Sequence, residues 1–181
     1  LMKELGMLLA YEATAHLSVG PAPPFEPREK PPIGEVLEGY KPVIVPVLRS
    51  GLAIAEGFRE VMPLVRTGHL GIYQGPLHEP AEYLVALPET EGRSFIVVDA
   101  LIATGKSAAR AAKLLIDNGA ARDKIIFCVA LSTVEGARFL LEEYPTVKII
   151  AGACAKFIEG TNDVTPWLGH VGNRLFFGER P

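Results

Sequence analysis

FIVVDALIATGKS, residues Phe95 to Ser107, is the stretch from which the rest of the chain takes its meaning. Its opening run, Phe95-Ile96-Val97-Val98, has the length and β-branched content of a buried parallel strand and ends on an acidic residue, Asp99. A loop follows, and Thr104-Gly105-Lys106-Ser107 opens an alanine-rich segment in which Thr and Ser can cap a helix. The first N–H groups of a helix have no partner within it and point outward, and its dipole favours negative charge there. A strand, an acidic residue, a small-residue turn and a helix start therefore predict a phosphate site.

Composition bounds what surrounds this site. The 181 residues suit one domain with a substantial core; 49% are apolar, 22% are charged and the net charge is −3. That balance gives no global basicity for a nucleic-acid partner. No apolar run reaches the roughly 18 residues that span a membrane, and no charged-then-apolar signal segment is evident. The chain starts at Leu1 rather than Met, which leaves an upstream segment open. Cys128 and Cys154 both lie in apolar strand-like runs, so both are expected to be reduced core thiols of a cytoplasmic protein.

Working outward, Met2, Leu5, Leu8, Leu9 and Ala13 share one face of an amphipathic helix over residues 2–15. Six prolines between Leu17 and Pro32 forbid a helix and discourage a central strand, which predicts an extended loop or flap. Val43 to Leu48 reads as a strand ending in Arg49-Ser50-Gly51, and Leu52 to Val61 has helical spacing. Val65 to Tyr73 and Glu82 to Leu87 read as strands joined through Gln74 to Pro80 by a hairpin or mobile loop. A helix over Gly105 to Asn118 stops at Gly119. Then come a strand over Lys124 to Leu131, a helix over Val134 to Tyr144 and a strand over Val147 to Ala153. The remainder, Ala155 to Pro181, reads as irregular. Alternating strands and helices indicate an α/β fold with a mainly parallel sheet and antiparallel additions near Val65 to Leu87. Ligands of such sheets bind beyond the carboxyl ends of the strands, which singles out Arg49 to Gly51, Tyr73-Gln74, Asp99 to Ser107, Ser132 to Gly136 and the tail.

Two chemistries compete for Phe95 to Ser107. Gly105-Lys106-Ser107 ends the P-loop pattern G-x-x-x-x-G-K-[ST], but its first glycine would fall at Ala100, where a methyl group obstructs the curl around a triphosphate. The other reading gives Asp99 work: a carboxylate beside a phosphate cradle can hold ribose hydroxyls while the helix start holds the 5-phosphate.

At this point the chain resembles the type I phosphoribosyltransferases, whose motif is an apolar strand, an acidic residue and an A-T-G-x-S type loop. Beyond that motif it resembles the uracil phosphoribosyltransferases. Leu48-Arg49-Ser50-Gly51-Leu52 is similar to their pyrophosphate loop, Val65 to Tyr73 to the strand before their flexible hairpin, and Leu8 to Thr14 to the end of their first helix. Pro166 to Arg174 aligns with their C-terminal P-G-L-G-D-A-G-D-R segment. Departures from the family pattern are Trp167 for glycine, His170 and Asn173 for aspartate, Gln74 for the arginine after the hairpin tyrosine, and Lys106 for glycine.

The resemblance implies a type I phosphoribosyltransferase fold: a mainly parallel sheet flanked by helices, an antiparallel hairpin or flap, and a C-terminal hood. One domain covers 1–181, with the first helix and Pro-rich loop in 1–40, the core in 41–153 and a base-recognition hood in 154–181. It implies transfer of the phosphoribosyl group of phosphoribosyl pyrophosphate (PRPP) to uracil, giving UMP and pyrophosphate in pyrimidine salvage. Asp99 and Arg49 carry the catalytic assignment. Ala103, Thr104, Gly105, Lys106 and Ser107 hold the 5-phosphate, and Arg49, Ser50, Gly51 and Gln74 meet pyrophosphate. Val164, Trp167, Leu168, Gly169 and His170 read the base. Magnesium (Mg2+) bridges substrate oxygens with no direct protein ligand. Family members associate as homodimers or homotetramers, and a GTP effector is compatible with the resemblance.

Plainer readings stand beside these. Asp99 could serve as a helix cap, Arg49 as a surface ion-pair partner, Lys106 as a solvated side chain, His170 as an exposed residue and Trp167 as a core plug. A homologue that binds uracil or nucleotide without catalysis, and more remotely a P-loop NTPase, are the alternative functions.

Overall fold

Valine and isoleucine dominate Val43–Leu48, Phe95–Ile102 and Ile125–Thr133, and β-branched side chains on both faces suit strands covered on both sides. The computed structural model describes residues 1–15, 17–22, 34–75, 79–158, 164–166, 169 and 171–178. In chain order these form α1 (Met2–Thr14), β1 (Val19–Pro21), β2 (Glu35–Leu37), β3 (Val43–Leu48), α2 (Gly51–Val61), β4 (Arg66–Thr67), β5 (His69–Gln74) and β6 (Pro80–Ala86). There follow β7 (Phe95–Ile102), α3 (Lys106–Asp117), β8 (Ile125–Thr133), α4 (Val134–Glu143), β9 (Lys148–Phe157), β10 (Val164–Thr165) and α5 (Val171–Phe176).

The main sheet runs β10-β9-β8-β7-β3-β5-β6, with β4 also paired to β3. Strands β3, β4, β5, β7, β8 and β9 pair in parallel, while β6 and β10 close the two ends antiparallel. Strand alternation then sorts side chains to two cores. Val43, Val45, Phe95, Val97, Phe127 and Val129 face α3 and α4 through Ala111, Ala112, Leu115 and Leu140. Ile44, Ile96, Val98 and Cys128 face α1 and α2 through Leu9, Ala10, Ile54 and Phe58. Among the described residues no helix is long and apolar enough to cross a membrane.

Several expectations change. The strand expected to stop at Asp99 continues to Ile102, because β8 pairs with it up to Ser132. Ala100 is therefore a buried strand residue and cannot lie in a Walker loop, which removes the NTPase reading. Val65 to Tyr73 is divided, with β4 and β5 separated by Gly68. The hairpin between Gln74 and Pro80 is present as β5 and β6, with a bulge between Gly71 and Ile72. Ala155 onward is not wholly irregular: β9 extends to Phe157, and β10 and α5 follow. Part of the Pro-rich segment forms β1, which pairs antiparallel with β2; residues 23–33 lie outside the described residues. Cys154 is exposed rather than a core thiol, since β9 is flanked on its outer side only by the two-residue β10; Cys128 is buried as expected.

Candidate active site

Strands β3, β5 and β7 run parallel, so Arg49, Gln74 and the residues after Asp99 emerge at one end of the sheet. The Leu48–Arg49 peptide is cis, and α2 begins directly beyond Ser50. Gly51 has to be glycine because a Cβ there would lie 2.2 Å from the Val98 carbonyl oxygen of β7. This close approach seats the Arg49-Ser50 turn against the strand that carries Asp99.

Asp99 is half-buried, and its Oδ1 accepts from the Ser50 hydroxyl and, at 2.7 Å, from the Ala100 backbone N–H. Burial pushes its carboxyl up to about 6, with the bonds from Ser50 and Ala100 pulling the other way. At neutral pH it is a carboxylate with one oxygen fixed. It is no helix cap: α3 is capped by Gly105, six residues on.

The turn expected to hold phosphate is short, Ala103 to Gly105, and glycine rather than Thr or Ser precedes the helix, with no side-chain cap. Gly105 is left-handed, with φ +81°, and a Cβ there would meet the Gly136 carbonyl oxygen at 2.4 Å. The other side of the turn is fixed by Thr133, whose hydroxyl donates to the Ala103 carbonyl at 2.5 Å and accepts the Gly136 N–H at 2.9 Å. Thr133 was legible only through its position just after a strand. Ser107 lies half-buried in the first turn of α3 and Thr104 is exposed. Lys106 is not simply solvated: its ammonium pairs at 2.6 Å with Glu79 of the hairpin. One turn further, Arg110 grips Glu82 of β6.

Arg49 is no surface ion-pair partner among the described residues. It donates from Nη2 to Asn173 Oδ1 at 2.6 Å, and its guanidinium lies 4.1 Å from the centre of the Phe177 ring. Sequence reasoning missed Phe177 entirely. Gln74 ends β5 opposite Pro80 and is exposed. Val164 is buried in a small cluster with Leu131 and Ala155, and Gly169 has φ +60°. Trp167, Leu168 and His170 lie outside the described residues.

Solved structures that superpose on this chain define the fold class. An APRTase from Giardia lamblia complexed with 9-deazaadenine superposes with a TM-score of 0.57 at 12% identity, covering 82% of this chain and 78% of that one. An adenine phosphoribosyltransferase from Thermoanaerobacter pseudethanolicus gives 0.55 at 14% identity, covering 84% and 80%. The fold is that of the type I phosphoribosyltransferases. Within that class the chain belongs to the uracil phosphoribosyltransferase family, whose family model matches residues 1–178. It is 36% identical over 180 residues to the uracil phosphoribosyltransferase of Burkholderia thailandensis, covering 97% of this chain and 81% of that protein. With the enzyme of the same name from Ralstonia pickettii it shares 35% over 179 residues, again covering 97% and 81%. The AQ2163 protein from Aquifex aeolicus is also similar, with a TM-score of 0.82, 28% identity and coverage of 97% and 83%.

Proposed function

We propose that this protein transfers the phosphoribosyl group of PRPP to N1 of uracil, forming UMP and releasing pyrophosphate. The observation that carries the reading is the bond from Ser50 to Asp99, which joins the Arg49 turn to the carboxylate preceding the phosphate turn. Family membership supplies the base.

The reaction breaks the C1–oxygen bond to pyrophosphate and forms a C1–N1 bond, through a transition state with positive charge on the sugar. The work left to the protein is positioning and stabilisation of the departing negative charge. Ionised Asp99 accepts from the ribose hydroxyls with the oxygen that Ser50 and Ala100 leave available. Backbone N–H groups from Ala103 to Ser107, with Lys106, hold the 5-phosphate. Arg49, with the Ser50-Gly51 backbone and Gln74, meets pyrophosphate, where a guanidinium fork matches paired oxygens. Residues 154–181 form the base hood, with Val164 to His170 reading the alternating acceptor and donor edge of uracil.

The donors at this end of the sheet suit magnesium bound mainly through substrate oxygens and water. Asp99 is the hard-oxygen group there. When bound, the ion neutralises charge on pyrophosphate. A cytoplasmic homodimer or homotetramer belongs to the same reading, and exposed Leu8 and Tyr11 on α1 are compatible with an interface. A GTP effector remains a further part of it.

The test is pyrophosphate release from PRPP with magnesium across a panel of pyrimidine and purine bases. Release with uracil alone supports the proposal, and no turnover with any pyrimidine overturns it.

A further inference from the structure

We infer that Phe177 is a positioning residue for Arg49, and that Phe177 and Asn173 together present its guanidinium to pyrophosphate as an unneutralised cation. The inference rests on the proposed meeting of Arg49 with pyrophosphate and adds how that contact is set.

The chemistry of the two contacts is what matters. Asn173 accepts one N–H of Arg49 at 2.6 Å through an amide oxygen, which fixes the group without supplying a counter-charge. The Phe177 ring attracts the cation through its π face, 4.1 Å away, without occupying an N–H. A guanidinium has five donors, so this mode of holding leaves a fork for two ligand oxygens. Phe177 is fixed in turn, because its backbone N–H donates to the Asn173 carbonyl at 2.8 Å. Phe177 is 67% exposed as a residue, so core packing does not account for a phenylalanine there.

Two of the family departures fit the same arrangement. Gln74 stands where the pattern has an arginine, and Asn173 where it has an aspartate. At these two positions one positive and one negative charge are both absent. An aspartate restored alone at 173 would neutralise Arg49 with no second cation in compensation.

The experiment measures pyrophosphate inhibition, the KM for PRPP and the KM for uracil on the full chain with magnesium. Phe177→Leu is expected to weaken pyrophosphate and raise the PRPP KM by about threefold, as loss of a partly exposed cation–π contact implies. The uracil KM and melting temperature should stay the same, and Phe177→Tyr should behave like the parent. Asn173→Asp should weaken pyrophosphate, and Asn173→Asp with Gln74→Arg should recover it. Unchanged pyrophosphate affinity in Phe177→Leu, or an equal rise in both KM values, overturns the inference. If Phe177→Leu does not fold, Asn173→Asp decides, and unchanged pyrophosphate affinity in that variant overturns it. Arg49→Gln separates the two levels. No effect there removes the pyrophosphate role of Arg49 itself, whereas a loss there with none in Phe177→Leu removes only the role of Phe177.

Discussion

Ser50, on the turn after β3, donates its hydroxyl to Oδ1 of Asp99, inside β7. The bond ties two neighbouring strand ends together and leaves an acid whose folded-state pKa is about 6, against 3.8 for the free group. Between those values the native chain binds more protons than the unfolded one, so stability falls as pH rises through the window. Asp99→Asn keeps the accepting oxygen and removes the desolvated charge. It should melt several degrees higher than the parent at pH 7.5, by about 1–3 kcal/mol, with the gain disappearing below about pH 4. Activity should move the other way. In the parent, kcat/KM for PRPP should drop as pH falls below about 6, and Asp99→Asn should lose at least roughly tenfold at pH 7.5, as expected for hydrogen bonds to a charged group.

The Lys106–Glu79 pair is 41% and 65% exposed at its two side chains. Such pairs contribute about 0–1 kcal/mol, so neither Lys106→Ala nor Glu79→Gln should shift the melting temperature by more than a few degrees. Their kinetics should differ in sign. Lys106→Ala should raise the PRPP KM several-fold, and Glu79→Gln should leave it unchanged or lower it, because the ammonium loses a competitor for phosphate. A salt titration of both KM values checks the electrostatic origin.

Gly105→Ala meets two obstacles together, a left-handed backbone at φ +81° and a Cβ 2.4 Å from the Gly136 carbonyl oxygen. A combined cost of about 2–4 kcal/mol is expected, read as a lower denaturant midpoint with an unchanged slope. Thr133→Val removes the α4 cap and the donor to the Ala103 carbonyl, and should cost about 1–2 kcal/mol. Both variants should raise the PRPP KM and spare the KM for uracil.

Burial pushes the Cys128 thiol up to about 12, and Cys154 is exposed. Alkylation followed by mass spectrometry should modify Cys154 alone in the native protein, with Cys128 reacting only after denaturation.

The strands at the centre of the sheet were legible in the sequence because burial on both faces demands unbroken apolar runs; Val43–Leu48 has the bounds its sequence suggests. The end of β7 was not. Asp99 is a poor strand former, and its place within the strand comes from ladder pairing with Val129 of β8, a partner 30 positions away. For the same reason Thr104 and Ser107 looked like caps, although packing of Gly105 against α4 settles the helix start. Strand-end logic singled out Arg49 and Ser50, and Asp99 as the end of its strand, whereas Asp99 lies inside β7. Phe177 carried no local signal, because its role depends on folding α5 back over a residue 128 positions earlier.

The continuation of β7 to Ile102 gives the two halves of the candidate site different supports. Asp99 sits in the β7–β8 ladder, paired with Val129, whereas the turn from Ala103 to Gly105 lies beyond the last paired residue of β7. The carboxylate is therefore held by the sheet, and the turn by Thr133 and the packing of Gly105 against Gly136.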